Sequence, residues 1–185
     1  MHKIKDQMKA SNWTIDMNHS EVRFKVRHLA LSNVAGVFRS FKGQVLSANE
    51  DFEDAKVAFE IETGSIDTNN PERDKHLRTP DFLNTEHFPL MKFSGVIKKE
   101  KPGYTLLGDL TIRDTTKPVQ LAVEYGGTGK GRFGDVRAGF EVSGNINRKD
   151  YGLTWNLLTE VGSLVVGEDI KLQFDVELIK AGEHS

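Results

Sequence analysis

Apolar and polar residues alternate along most of this chain, which is the pattern of β-strands that bury one face. The clearest alternating runs cover residues 21–27, 56–62, 104–112, 119–125, 136–142 and 170–178. With shorter candidates between them, the pattern predicts about eight to ten strands. A sheet that is apolar on one side must bury that side on itself or on a second sheet, so the pattern predicts a barrel or a sandwich.

One segment, residues 67–90, breaks this alternation and predicts short helices between two strands. Asn70 is a favourable helix N-cap, and Pro71 suits the first helical position. Thr79-Pro80 repeats that start signal, and Phe88-Pro89 ends the segment. On a barrel, an insert of this kind is expected to lie across one mouth.

Large apolar side chains from many different strands are expected to point into the barrel. Eight strands give an interior that side chains just fill or that holds one small ligand, so the pattern alone leaves a filled core and a cavity both open. The residues predicted to line the interior are Phe24, Val26, Phe38, Phe41, Phe59, Ile61, Phe82, Phe93, Leu106, Leu110, Leu121, Phe140, Trp155, Leu172 and Phe174.

Composition narrows the class of partner. Lys and Arg number 25 against 27 Asp and Glu, so there is no basic excess to favour nucleic acid. The absence of cysteine rules out disulfides and thiolate zinc sites. No run approaches the roughly 18 apolar residues of a transmembrane segment. The first ten residues lack the apolar stretch of a leader, which predicts a cytoplasmic protein, or a periplasmic one if a leader has been removed.

Few residues have the spacing of a catalytic or metal site. Asp16, His19 and Ser20 include the residue types of a hydrolytic triad, but a triad requires convergence in space, and Asp and Ser are more common as turn residues. Residues 127–131 resemble a phosphate loop only faintly and predict a hairpin loop. The histidines lack the tight spacing of a helical zinc site, so no metal site is predicted.

Four polar residues are candidates for a rim at the barrel mouth: His19, His28, Asp67 and Arg73. Ligand sites are mostly apolar with a few polar groups that orient the ligand, and these residues can serve that purpose. The alternative is a solvated surface with local ion pairs, each of which contributes little.

The order of residues from Trp13 onwards resembles the YceI-like family. The resemblance is carried by Trp13, Ile15-Asp16, His19-Ser20, His28-Leu29, Ser65-Ile66-Asp67-Thr68-Asn69, Arg73-Asp74, Asp81-Phe82-Leu83, Gly108-Asp109-Leu110-Thr111-Ile112, Thr116-Lys117-Pro118-Val119 and Ile146-Asn147-Arg148 with Asp150-Tyr151-Gly152-Leu153. Asp114 departs from the family, which often has Gly there; Asp tolerates a left-handed turn better than most residues.

The resemblance implies an all-β fold: an extended eight-stranded antiparallel lipocalin-like barrel over residues 13–181, with tails at 1–12 and 182–185. It also implies a deep apolar tunnel for a long-chain amphiphile, such as an isoprenoid quinone, a polyprenyl chain or a fatty-acid derivative. No other cofactor is implied, and pairing as a homodimer is expected. No catalytic residue is carried over, because the family has no settled catalytic set.

Three hypotheses follow from the sequence. The leading one is a binding protein that stores, transports or protects an isoprenoid-type lipid without chemistry on it. The second is an enzyme that acts on such a lipid with His19, His28 or Asp67 near the mouth. The third is a barrel with a filled core that acts through its surface.

Overall fold

The computed structural model describes residues 10–156 and 165–182, and these residues form mainly β-strands. The strands are β1 (Ser11–Ile15), β2 (Glu21–His28), β3 (Ser32–Phe38), β4 (Phe41–Ser47), β5 (Lys56–Glu62), β6 (Ile66–Asp67), β7 (Leu90–Glu100), β8 (Gly103–Ile112), β9 (Thr115–Lys130), β10 (Val136–Asn147) and β11 (Val166–Lys180). Within the same ranges the one α-helix is α1 (Pro71–Leu77), and no helix there is long and apolar enough to cross a membrane.

Antiparallel pairing closes these strands into an eight-stranded barrel in the described ranges, as predicted. Three barrel strands are interrupted, and each consists of two consecutive segments: β1 with β2, β3 with β4, and β5 with β6. Closure is made by β11, which pairs with β10 on one side and with both β2 and β1 on the other. A closed sheet leaves no long edge for pairing with another chain. Pairing with β4 extends β1 to Ser11, two residues before the predicted domain start.

Alternation decides which side chains face inward. On β2, Val22 is buried, while Glu21 and Lys25 on the other face are exposed to solvent. The same two-residue period continues on β5 and β11, because successive side chains of a strand point to opposite faces. The apolar set of each strand therefore collects inside the barrel.

The insert between β6 and β7, residues 68–89, forms a lid over one end of the barrel, which we call the lid end. Its helix starts where predicted: the Asn70 side chain accepts a hydrogen bond from the Arg73 amide at 3.1 Å. The second predicted start, at Thr79, produces turns instead of a helix. Thr79 Oγ1 donates to the His76 carbonyl at 2.6 Å, so this hydroxyl is bound to the end of α1.

The opposite end, which we call the plug end, is closed by Phe52 from the loop between β4 and β5. Phe52 is only 1% exposed, and its ring centroid lies 5.1 Å from that of Trp13 and 5.0 Å from that of Phe140. Both Phe52 and Asp54 have left-handed backbone angles, with φ of 63° and 62°. Such angles cost roughly 1–3 kcal/mol for residues other than glycine, and burial of the ring offsets that cost.

We expect Phe52→Ala to lower the free energy of unfolding by about 3–5 kcal/mol, because it removes a fully buried ring and leaves a cavity. Urea denaturation followed by tryptophan fluorescence measures the change. The matched control is Phe133→Ala, whose ring is exposed and whose loss is expected to change stability by no more than about 0.5 kcal/mol. Equal stability of the two variants would contradict the plug.

Candidate functional site

Two apolar cavities lie end to end inside the described part of the barrel. The plug chamber, toward Phe52, has a volume of about 100 Å³ and is bordered by Phe93, Leu106, Leu121 and Phe140 among others. The lid chamber, toward the insert, has a volume of about 140 Å³ and is bordered among others by Phe24, Phe38, Leu77, Phe82 and Leu83. The core is therefore not packed solid, in contrast to the filled-core hypothesis.

A narrow waist separates the two chambers. Ile61, Leu110, Leu172 and Phe174 border both of them. The Phe174 ring stacks on the Phe59 ring with their centroids 6.1 Å apart. We expect rotamer changes of these four side chains to join the chambers into one tunnel, because side chains and not backbone form the waist.

Close approach of β7 and β8 positions one lining side chain. Gly95 and Gly108 face each other across the pair, and the Phe93 ring lies over both of them. A Cβ atom added at Gly108 would lie 2.6 Å from the Gly95 Cα atom and 2.6 Å from the Phe93 ring. Glycine at these two positions therefore leaves room for the Phe93 ring against the wall of the plug chamber.

Most of the predicted lining residues border a chamber, and only Phe41 and Trp155 do not. Phe41 lies directly after the break between β3 and β4 and packs on Phe59, with centroids 5.9 Å apart. Trp155 follows the end of β10 and packs on the lid, 4.7 Å from His76 and 5.1 Å from Phe82. Contact of the remaining residues with a ligand stays a prediction.

Sequence reasoning missed many aliphatic lining residues because it favoured aromatic ones. The missed positions include Val57, Ile97, Val119, Val123, Val142 and Val176 around the plug chamber. Their signal was present, since each of them follows the same two-residue period as a predicted lining residue. Leu77 and Leu83 of the lid had no such signal, because the insert is too short for a helical period.

Hydrogen bonds to main-chain carbonyls hold the lid in place. Arg78 Nε donates to the Gly64 carbonyl and Arg78 Nη2 to the Ile66 carbonyl, each at 3.0 Å. Arg113 Nη1 donates to the Phe82 carbonyl at 3.3 Å. The inner face of the lid borders the lid chamber with the apolar side chains of Leu77, Phe82 and Leu83.

Asp67 and Arg73 of the predicted polar rim do lie at the lid end, but both are engaged locally. Asp67 accepts from the Asn69 amide at 2.9 Å and from Arg39 Nε at 2.6 Å, and these two donors lower the pKa of Asp67. Arg73 donates from Nε and Nη2 to Thr68, both at 2.7 Å. The alternative of local pairing thus describes their contacts in this structure.

The histidines of the predicted rim lie apart from each other. His28 ends β2 at the lid end and is exposed to solvent. His19 does not lie at that mouth, which corrects the prediction. It belongs to a 3₁₀ turn, Met17–His19, between β1 and β2 on the side wall, where the Asp16 amide donates to the Glu177 carbonyl of β11 at 2.9 Å.

Asp16, His19 and Ser20 do not form a catalytic triad. His19 Nδ1 is 2.7 Å from Asp16 Oδ2, but Ser20 Oγ accepts a hydrogen bond from the Glu177 amide at 3.0 Å. A nucleophilic serine must be bonded to the histidine that takes its proton. Ser20 instead holds the turn against β11.

Acidic residues gather at this turn, and Arg137 is the cation that pairs with them. Possible metal-ligand atoms of Asp16, His19 and Glu177 lie within 4.8 Å of one another. Arg137 Nη1, however, is 2.7 Å from both Asp16 Oδ2 and Glu177 Oε1, and its Nε is 2.8 Å from Asp135 Oδ2. The guanidinium, followed by His19, lowers the pKa of Asp16 to about 2.

The closed antiparallel barrel with an apolar interior places this chain in the lipocalin-like class of folds. Its family follows from the sequence: the YceI-like domain matches residues 13–178, and the chain belongs to the YceI-like family. A UPF0312 protein of Photorhabdus laumondii is 42% identical over 151 residues, which cover 80% of this chain and 79% of that protein.

Solved structures show the same fold. The YceI protein of Campylobacter jejuni is 31% identical, with a TM-score of 0.68 over 85% of this chain and 91% of that chain. A polyisoprenoid-binding domain from Saccharophagus degradans, implicated in plant cell wall breakdown, has a TM-score of 0.66 over 91% of this chain and 98% of that chain. At 14% identity, the second likeness shows the fold alone.

We expect Asp16→Asn to lower the free energy of unfolding at pH 7 by about 1–2 kcal/mol. The folded pKa of Asp16, about 2, lies below its ordinary value of 3.8, so its contribution is present above about pH 4 and is lost as the pH falls to about 2. Urea denaturation at a series of pH values measures this. Below about pH 4 the free energy of unfolding should fall less steeply in Asp16→Asn than in the wild type, whereas the exposed control Asp109→Asn should follow the wild type. The same pH dependence in Asp16→Asn and the wild type would contradict the contribution of Asp16 and Arg137.

We expect Leu110→Trp to block the waist and so to discriminate ligands by length. A long-chain ligand should lose about ten-fold or more in affinity, since exclusion of two CH₂ groups already costs about 1.6 kcal/mol, whereas a chain short enough for one chamber should lose little. Competition with fluorescent fatty acids of different lengths measures both. The control is Leu107→Trp on the outer face of the same strand, where Leu107 is 37% exposed. An equal loss for short and long chains would contradict a waist at Leu110.

Proposed function

We propose that this protein binds one long-chain amphiphilic lipid inside the barrel and stores, transports or protects it. The observation that carries the proposal is the pair of apolar chambers placed end to end, each lined almost entirely by hydrocarbon. Apolar surface that leaves water gains about 25 cal/mol per Å², so a flexible chain lying through both chambers gains more than one confined to either.

The shape of the cavity favours a narrow chain. A tail that passes the waist has to displace the side chains of Ile61, Leu110, Leu172 and Phe174, which favours a linear or methyl-branched tail over a bulky ring system. An isoprenoid tail, a polyprenyl chain and a fatty-acid tail all meet this condition. Membership in the YceI-like family and the fold shared with a polyisoprenoid-binding domain both support an isoprenoid-type ligand.

A binding role fits the surroundings of the cavity better than catalysis does. The enzyme hypothesis requires His19, His28 or Asp67 to reach the ligand, and none of these three borders either chamber in the described residues. His19 is on the outer wall, and Asp67 is bound to Arg39. We therefore propose binding without chemistry on the ligand; the cytoplasmic location and the homodimer stay predictions.

Mass spectrometry of solvent extracts from detergent-free protein tests the proposal. We expect one long-chain lipid in stoichiometric amount from the wild type and its loss from Phe174→Arg, because an arginine at the waist puts a charge in the path of the tail. The control is Gln173→Arg, which faces outward on the same strand. Wild-type protein that extracts free of lipid, and that takes up none from added lipid, would show the proposal to be wrong.

A further inference from the structure

The tip of the β9–β10 hairpin exposes the largest apolar side chain on the described surface. Phe133 is 86% exposed, and the guanidinium of Arg132 lies 5.6 Å from its ring centroid. A single exposed apolar residue is ordinary on a protein surface. The charges around this one and its place in the barrel make it informative.

The residues next to Phe133 give the tip a positive charge. Among the residues that the structure describes, neither Lys130 nor Arg132 has an ion-pair partner. The nearest acidic residue in sequence, Asp135, is already paired with Arg137 at 2.8 Å. A basic tip with an exposed aromatic ring has the chemistry of an interfacial anchor: the ring enters the boundary between headgroups and acyl chains, and the cations approach anionic lipids.

The same hairpin connects this tip to the plug. A β-bulge shifts the register between Gly139 and Phe140, opposite Gly127, whose φ is +111°. On the barrel side of the bulge, the Tyr125 and Phe140 rings stack with centroids 5.0 Å apart. Phe52 rests against both of these rings, at 5.5 and 5.0 Å. The hairpin therefore bears a basic aromatic tip at one end and the support of the plug at the other.

We propose that residues 130–134 form a membrane finger that inserts Phe133 into an anionic bilayer surface. Lys130 and Arg132 provide the electrostatic attraction, and Phe133 provides the apolar insertion. Because the hairpin leaves the barrel at the plug end, we expect that end to lie nearer the bilayer than the lid end. Binding of the finger to a bilayer does not depend on the proposed function. The exchange of a lipid ligand through the plug end does depend on it, because it requires that the cavity binds a lipid.

Co-sedimentation with vesicles tests the finger. The probe is a vesicle of equal parts phosphatidylcholine and phosphatidylglycerol, with pure phosphatidylcholine for comparison. We expect Phe133→Ser to lower the partition coefficient about ten-fold or more, and Arg132→Glu to lower it about five-fold or more. The matched control is Leu31→Ser, at the tip between β2 and β3 on the lid end, where Leu31 is 81% exposed and its loss should change nothing.

Three results would overturn the finger: no preference of the wild type for anionic vesicles, unchanged partition of Phe133→Ser, or an equal loss in Leu31→Ser. A change in oligomeric state of Phe133→Ser without vesicles, with partition unchanged, would identify a second copy of the chain as the occupant and would also overturn it. Lipid extracts of the same preparations separate the two proposals. Empty extracts with normal vesicle binding contradict the cavity function alone, and full extracts without vesicle binding contradict the finger alone.

Discussion

The closure of the sheet through β11 is the constraint on which the rest of the structure depends. This strand pairs along one edge with β10 and along the other with both β1 and β2. The 3₁₀ turn Met17–His19 separates β1 from β2 along that second edge. Closure fixes which face of every strand is inside, because the side-chain period is two. The barrel formed by these long strands encloses a volume that the inward side chains do not fill completely, and the two chambers are the unfilled part.

Different interactions cover the two ends of the barrel: apolar burial at the plug end and hydrogen bonds at the lid end. At the plug end, one ring on a left-handed loop is buried among aromatic side chains, and its stability comes from apolar burial. At the lid end hydrogen bonds dominate, and Arg78 holds the lid to the main-chain carbonyls of Gly64 and Ile66. At the same end Arg148, which is 2% exposed, joins the residues after β10 to the start of β11 by donating to the main-chain carbonyls of Leu153, Trp155, Val166 and Gly167. Burial lowers the pKa of Arg148, and these carbonyl bonds offset the cost of removing a cation from water.

Alternation predicted strands that bury one face, in a barrel or a sandwich, because burial on one face leaves a period that a single strand displays by itself. The resemblance to the YceI-like family implied the barrel, and the structure shows it. It did not predict the points at which strands break. His19 was expected at the mouth and lies on the wall, since a 3₁₀ turn interrupts the strand that contains it. The buried position of Phe52 depends on positive φ angles in an irregular loop, and no sequence period reports such angles. Phe41 is buried in the core without bordering a chamber, and it lies directly after the break between β3 and β4. Trp155, beyond the end of β10, packs on the lid.

Among the described residues, the lid covers one end of the cavity and Phe52 covers the other, so passage of a water-insoluble ligand at either end requires the cover there to move. The lid is held by hydrogen bonds to main-chain carbonyls, and water can replace these bonds when the lid opens. Opening in solution would also expose the apolar inner face of the lid to water, and nothing offsets that cost. The plug is held by rings, and its removal costs least where the surroundings are themselves apolar. The acyl region of a bilayer provides such surroundings, and the hairpin that supports the plug is also the one that presents Phe133 outward. The distribution of apolar side chains thus favours the plug end as the place where interior and membrane meet.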